Sequence, residues 1–272
     1  MLIIDFHTHC FPDKLAQRAI ESLSKKSSLP PFHNGTAADL DETQRSGGAD
    51  GYVVLSIATN PRQTAAVNNF AASLQDEKRN IYAFGSVHPE NEDYKEQLKA
   101  AKDLGLYGIK LHPEYQLFHV NDEKMFPIYE EIFRHEFPLT FHAGEDAGFT
   151  APWHAEPYKI AEVAKRYPEA VIIAAHMGGD NMWQDAAKEL AHLPNVYMDV
   201  SFSAGRMLQE DFQKACSMWR ADRILFGTDS PWHDVRRSIE AVKKLPISEE
   251  NMNLLFSGNA LRILHRNKAN NL

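Results

Sequence analysis

Apolar and polar positions follow two different rhythms along this chain. Short runs rich in β-branched, aromatic and aliphatic residues recur near residues 2–6, 52–57, 81–87, 107–111, 138–141, 170–175, 195–200 and 223–228, as strands do. After the first, they begin about every 25–32 residues, the length that a strand, a helix and two short loops consume. Between them the period lengthens. Ile160, Val163, Ala164 and Tyr167 in one segment, and Trp183, Ala186, Ala187 and Leu190 in another, stand at i, i+3, i+4, i+7 and predict helices with one apolar stripe each. A further helix is expected through Met125, Ile132 and Phe133, with Asn121-Asp122 as its N-cap and Pro127 near its start, and Ser257-Gly258-Asn259 should open the last one. Eight strands alternating with helices predict an α/β fold, a (β/α)8 TIM barrel forming a single domain over residues 1–272.

One interval breaks the spacing. Between strands one and two lies a helix expected from about Asp13 to Lys26, followed by Ser27-Ser28-Leu29-Pro30-Pro31. An insertion on the strand-to-helix side of a barrel overhangs the active-site mouth, so this segment is expected to cover the substrate or to run bare over the surface.

Composition narrows the function classes. No apolar run approaches the ~18 residues needed to span a bilayer, so no membrane partner is expected. Cys10 and Cys216 are too few for a disulfide framework and lie in no CxxC pair, which points to a reducing, cytoplasmic setting. The net charge of -8 is spread without a basic block, so nucleic acid is not the expected partner and a small molecule is. Exposed faces of barrel helices leave room for a homodimer.

Chemistry concentrates at the strand ends. Of thirteen histidines, His7, His9, His88, His112, His142 and His176 stand at or just past the ends of strands one, three, four, five and six, where barrel active sites form. Alternation sends His7 and His9 to one face, with Asp5 beside them as a ligand-orienting or merely satisfied carboxylate. His142 closes strand five, His176 closes strand six and Asp229 ends strand eight. Each alone has an ordinary structural explanation, but together His7, His9, His142, His176 and Asp229 converge on one mouth with nitrogen and carboxylate donors that suit zinc, manganese, iron or cobalt. Lys110 and His112 share a face of strand four and are expected to meet substrate there. His88, Glu145, Trp153 and Trp232 are lesser candidates for substrate contact, and Cys10 has the wrong strand parity for a ligand.

Asp5-Phe6-His7-Thr8-His9, His142-Ala143-Gly144, His176-Met177-Gly178-Gly179 and Gly227-Thr228-Asp229-Ser230-Pro231 together resemble the amidohydrolase superfamily. The closest resemblance is to its branch of small barrels related to aminocarboxymuconate-semialdehyde decarboxylase, and it extends from Asp5 to Gly258-Asn259-Ala260-Leu261. The resemblance implies that His7, His9, His142 and Asp229 bind one divalent ion, zinc foremost, and that His176 contacts its water. In two-metal relatives a carboxylated lysine or a glutamate on strand four bridges the ions and the strand-six histidine becomes a ligand. Lys110 therefore has three readings: carboxylated bridge, ammonium that pairs with a substrate carboxylate, or member of a structural ion pair. One ion is favoured over two, because single-metal relatives share this strand-four pattern.

The expected activity is hydrolysis of an amide, lactone or ester in a small, carboxylated molecule. Asp229 moves the proton of an activated water and His176 steadies the developing charge, so these two are the catalytic pair. The alternative is a lyase that decarboxylates or hydrates an unsaturated or aromatic acid. Phosphoester cleavage and a non-enzymatic scaffold are weaker rivals, since neither the charge pattern nor an intact donor set is explained by them.

Overall fold

The computed structural model of the protein describes residues 1–266. All eight expected strands form: β1 (Ile4–Thr8), β2 (Gly51–Leu55), β3 (Ile81–Phe84), β4 (Ile109–Leu111), β5 (Leu139–Phe141), β6 (Ile172–Ala174), β7 (Val196–Asp199) and β8 (Ile224–Leu225). They pair in parallel as two ladders, β1-β2-β3 and β4 through β8. Backbone hydrogen bonds cross both seams, among them Lys110 N to Gly85 O at 2.8 Å and Tyr107 N to Ala83 O at 3.0 Å between β3 and β4, and Phe6 N to Phe226 O at 2.8 Å and His9 N to Ser230 O at 2.7 Å between β1 and β8. Each strand is followed by an outer helix, from Ala37–Gly47 after β1 to Val235–Lys243 after β8, so the α/β TIM-barrel expectation holds.

Strand parity divides the core in two. Val54, Ile109, Leu111, Leu139, Phe141, Val196 and Met198 pack outward against the helices. Phe6, Val53, Leu55, Phe84, Ile173 and Leu225 fill the interior together with Ala260, Ile263 and Leu264 of the C-terminal helix. Alternation fails in β1, where the register shifts between Asp5 and Thr8. This bulge separates Asp5 from His7, which simple parity would put on one face. Asp5 meets Gln44 on helix Ala37–Gly47, whereas His7 meets Asp199 at the end of β7.

Helix Asp13–Ser27 appears as expected, but a second helix, Ala37–Gly47, precedes β2. Its stripe is thin, with only Leu40 and Gln44 buried, so periodicity gives little sign of it. Thr36 caps it by accepting from Asp39 N, and Gly48 at φ 103° ends it in the left-handed conformation that glycine tolerates. Two expected caps are not formed. Asp122 precedes a 3₁₀ turn and its carboxylate accepts from His119 N instead, with Pro127 falling in the first turn of helix Phe126–Arg134. Ser257-Gly258-Asn259 lies inside a continuous run, because a π turn over Leu254–Gly258 leads straight into helix Asn259–Leu264; the cap is Ser248, ahead of Glu249–Asn253. Among the described residues no helix is long and apolar enough to cross a membrane.

Candidate active site

The ends of β1, β4, β5, β6 and β8 bring the predicted side chains to one mouth, and the end of β7 adds Asp199. His9 Nδ1 donates to Leu55 O at 2.8 Å, which turns Nε2 toward Asp229 Oδ1 at 3.1 Å. His7 Nδ1 donates to Asp199 Oδ2 at 2.7 Å and its Nε2 lies 3.4 Å from Asp229 Oδ1. Donor atoms of His7, His9 and Asp229 all fall within 4.8 Å of one another, as do those of His7, His176 and Asp199, and those of His112, His142 and Asp146. In this arrangement His142 groups with Asp146 and His112, stacked on the His112 ring at 4.2 Å, and it reaches the first trio only through His176.

The local backbone makes these placements costly and specific. His176 and Asp229 sit at φ 56° and 67°, left-handed conformations that cost a non-glycine residue about 1–3 kcal/mol. His176 N donates to Asp199 Oδ1 and Asp229 N donates to His7 O at 2.8 Å, holding both turns. Gly144 permits the loop after β5 to touch the loop after β6: a Cβ there would lie 2.3 Å from Asp180 N, closer than any side chain tolerates. Asp5 is satisfied by His7 N, Thr228 N, Thr228 Oγ1 and Gln44 Nε2. It fastens β1 to β8 beneath the site, and burial lifts its carboxyl to about 7.

Hydrogen bonds assign the imidazole protons. His142 Nε2–H donates to Glu145 O at 2.9 Å, which leaves Nδ1 as a lone pair. Ser201 spends its one proton on Asp199 Oδ1, so His176 Nδ1–H donates to Ser201 Oγ at 2.9 Å and His176 Nε2 is also a lone pair. Those two bare nitrogens face each other at 3.1 Å, and His7 Nε2 is buried without a hydrogen-bond partner. Burial holds all of these rings neutral, with His7 and His176 far below the ordinary imidazole range and His142 at about 4. Buried lone pairs that lack a proton donor, each fixed from behind by a hydrogen bond, fit a divalent cation.

Lys110 is buried, and its Nζ has no hydrogen-bond partner. Desolvation, opposed by Asp199, Asp229 and Asp146, brings its ammonium down to about 8. No carboxylate among the described residues lies within ion-pair distance, so the structural ion pair drops out of the three readings of this side chain. His112 Nε2 faces Asp146 Oδ2 at 3.3 Å. His88 lines no part of the mouth; its Nδ1 accepts from Glu90 N in a turn.

A cavity of about 520 Å³ opens over this cluster, lined by His7, His9, Lys110, His112, His142 and Asp229, with Cys10 and Trp232 also on its wall. A neighbouring one of about 730 Å³ holds Trp153, Asn181 and Arg206, and the two share Glu145, Asp146, His176, Asp180 and Phe202. The insertion does overhang the mouth. Leu15, Leu23 and Leu29 line the cavity, and the Lys26 ammonium lies 3.3 Å from the Phe149 ring centroid and 4.5 Å from that of Tyr115. Sequence reasoning passed over Asp146, Ser201 and Asp199. Asp199 closes β7 as His142 closes β5, so the strand-end criterion that selected the histidines would have found it had it been applied to carboxylates.

The amidohydrolase family model matches residues 4–266 of the chain. Among solved structures, an uncharacterized TIM-barrel protein of Bordetella bronchiseptica is 21% identical, with 98% of this chain and 99% of that one covered and a TM-score of 0.77. A 5-carboxyvanillate decarboxylase of Sphingomonas paucimobilis is 14% identical, with 97% and 99% covered and a TM-score of 0.68. A dihydroxybenzoic acid decarboxylase of Polaromonas, with bound manganese and the inhibitor 2-nitroresorcinol, is 17% identical, with 100% and 99% covered and a TM-score of 0.72. At such identities the likeness is one of fold.

Proposed function

We propose that this chain, which belongs to the amidohydrolase family, is a metal-dependent lyase that decarboxylates an aromatic or unsaturated carboxylic acid. The observation that carries this reading is the pairing of the donor cluster with an apolar enclosure: one cavity is lined by His7, His9, Lys110 and Asp229 and by Leu23, Leu29, Ile57, Val67 and Phe70. Loss of carbon dioxide turns a hydrated anion into an apolar product, and a wall that excludes water favours that change. The decarboxylases of similar fold, one with manganese bound, support the reading. They shift the weight from hydrolysis to the lyase alternative, and from zinc to manganese.

His7, His9, His142 and Asp229 would hold a divalent ion, with His176 between His142 and the other three, and the ion would supply positive charge for binding substrate oxygens. Lys110, an ammonium without a protein partner, pairs with an anionic oxygen of the substrate, and His112 supports the His142 ring by stacking. Asp229 Oδ1 faces His7 and His9, and a proton taken from solvent and held on Oδ2 passes to the carbon that bears the carboxylate. The bond from that carbon to the carboxylate then breaks, its electron pair restores the unsaturated system, and carbon dioxide departs. His176, held neutral between Ser201 and His142, keeps the reacting face free of a competing proton. Each turnover takes up one proton from solvent to restore Asp229.

The test is carbon dioxide release from a panel of hydroxybenzoic acids by manganese-loaded protein. Release that depends on the ion supports the proposal. Cleavage of lactones, esters or amides with no carbon dioxide formed would return the site to hydrolysis.

A further inference from the structure

The cavity runs well past the donors, and two helices shape its far part. Helix Asp13–Ser27 buries Ala16 and Ile20 against the protein, yet a second apolar set at helical spacing, Leu15, Ala19 and Leu23, lines the cavity. Helix Thr64–Ser73 does the same in inverted form. Its buried face carries Ala71 in the core beside Thr64 and Asn68, which are hydrogen-bonded to Asn91 and Ser86, while Ala66 and Val67, and Phe70 at the core's edge, line the cavity. Ala66 and Val67 belong to neither core cluster, so their apolar side chains meet the void and not the core. Leu15 remains 56% exposed.

Charge on the lining is one-sided. Among the described residues Lys110 is the one lysine or arginine that lines it, and the acidic groups Glu145, Asp146, Asp180 and Asp229 all come from the loops after β5, β6 and β8. Neither helix contributes a charged side chain to this lining, and the Lys26 ammonium of the first lies over the Tyr115 and Phe149 rings instead. We propose that the substrate is a carboxylic acid with an apolar tail, and that the tail lies between the stripes of helices Asp13–Ser27 and Thr64–Ser73. The inference rests on the proposed placement of the acid group at the donors, and continuity of one cavity from His7 and Asp229 to Leu15 and Phe70 is what joins the two ends.

Calorimetric titration of manganese-loaded protein with 2-hydroxybenzoic acid and its 4-hexyl derivative tests this by binding alone. The tail is expected to tighten binding by about tenfold for every two methylenes covered. Ala19→Trp, which fills the groove, and Ala66→Glu, which charges it, should each abolish the advantage of the hexyl compound while the parent acid binds as before. Equal or undetectable binding of the two acids by the unaltered protein overturns the proposal, as does a hexyl advantage that survives both substitutions. A tail effect without carbon dioxide release would leave this inference standing and defeat the decarboxylase reading.

Discussion

His7 Nδ1 donates a 2.7 Å hydrogen bond to Asp199 Oδ2, and both side chains are buried. That bond fixes the proton on Nδ1 and leaves Nε2 as the lone pair that faces Asp229. Asp199→Asn can present its amide instead and invert the tautomer, so metal affinity should drop by about 10–100-fold, the usual cost of losing such a partner. Ion titration of the two proteins checks it; unchanged affinity would mean that Asp199 serves only the backbone of His176 and Ser201.

Lys110 carries a buried ammonium with no hydrogen-bond partner. Removing such a group relieves a desolvation cost and breaks no ion pair. Lys110→Met should therefore melt no lower than the unaltered protein while turnover drops by at least about tenfold, the scale of losing one charged contact. A large drop in Tm with activity retained would instead make Lys110 a structural group.

His33 offers a pH-dependent signal behind the donors, where it contacts Ser230 beside Asp229. Its Nδ1 accepts from Gly35 N at 3.1 Å, and Nε2–H donates to Ser230 Oγ at 3.0 Å. Both contacts suit the neutral ring, and burial, opposed by Asp39, lowers its pKa from 6.5 to about 4. Above pH 6.5 folded and unfolded chains both hold this ring neutral. As pH falls from about 6.5 to about 4 the unfolded chain gains the proton first, so stability is lost over that window. The difference in Tm between pH 7.5 and pH 5 should shrink in His33→Gln at equal metal content, and parallel profiles would exclude His33 as a source.

The barrel was legible in the sequence because strands buried on both faces read as unbroken apolar runs, and strand-end histidines stand out against them. What was not legible depends on other elements. Helix Ala37–Gly47 has too thin a stripe, since Gln44 occupies a buried position to serve Asp5. The bulge in β1 separates Asp5 from His7 by pairing geometry that only the neighbouring strand dictates. The grouping of His142 with His112 and Asp146 arises from a loop whose path depends on Gly144 meeting Asp180. Site membership thus followed from position along each strand, while the partner of each imidazole depended on loops that carry no period.

The most direct test of the account follows the proton of Asp229. Manganese-loaded protein, given a hydroxybenzoic acid that it turns over, should release carbon dioxide in deuterated water and leave one deuterium on the vacated ring carbon, and Asp229→Asn should lower that rate by about 10²–10⁴-fold with the fold intact. Products formed without carbon dioxide or ring deuterium, or an Asp229→Asn variant that works at the normal rate, would contradict it.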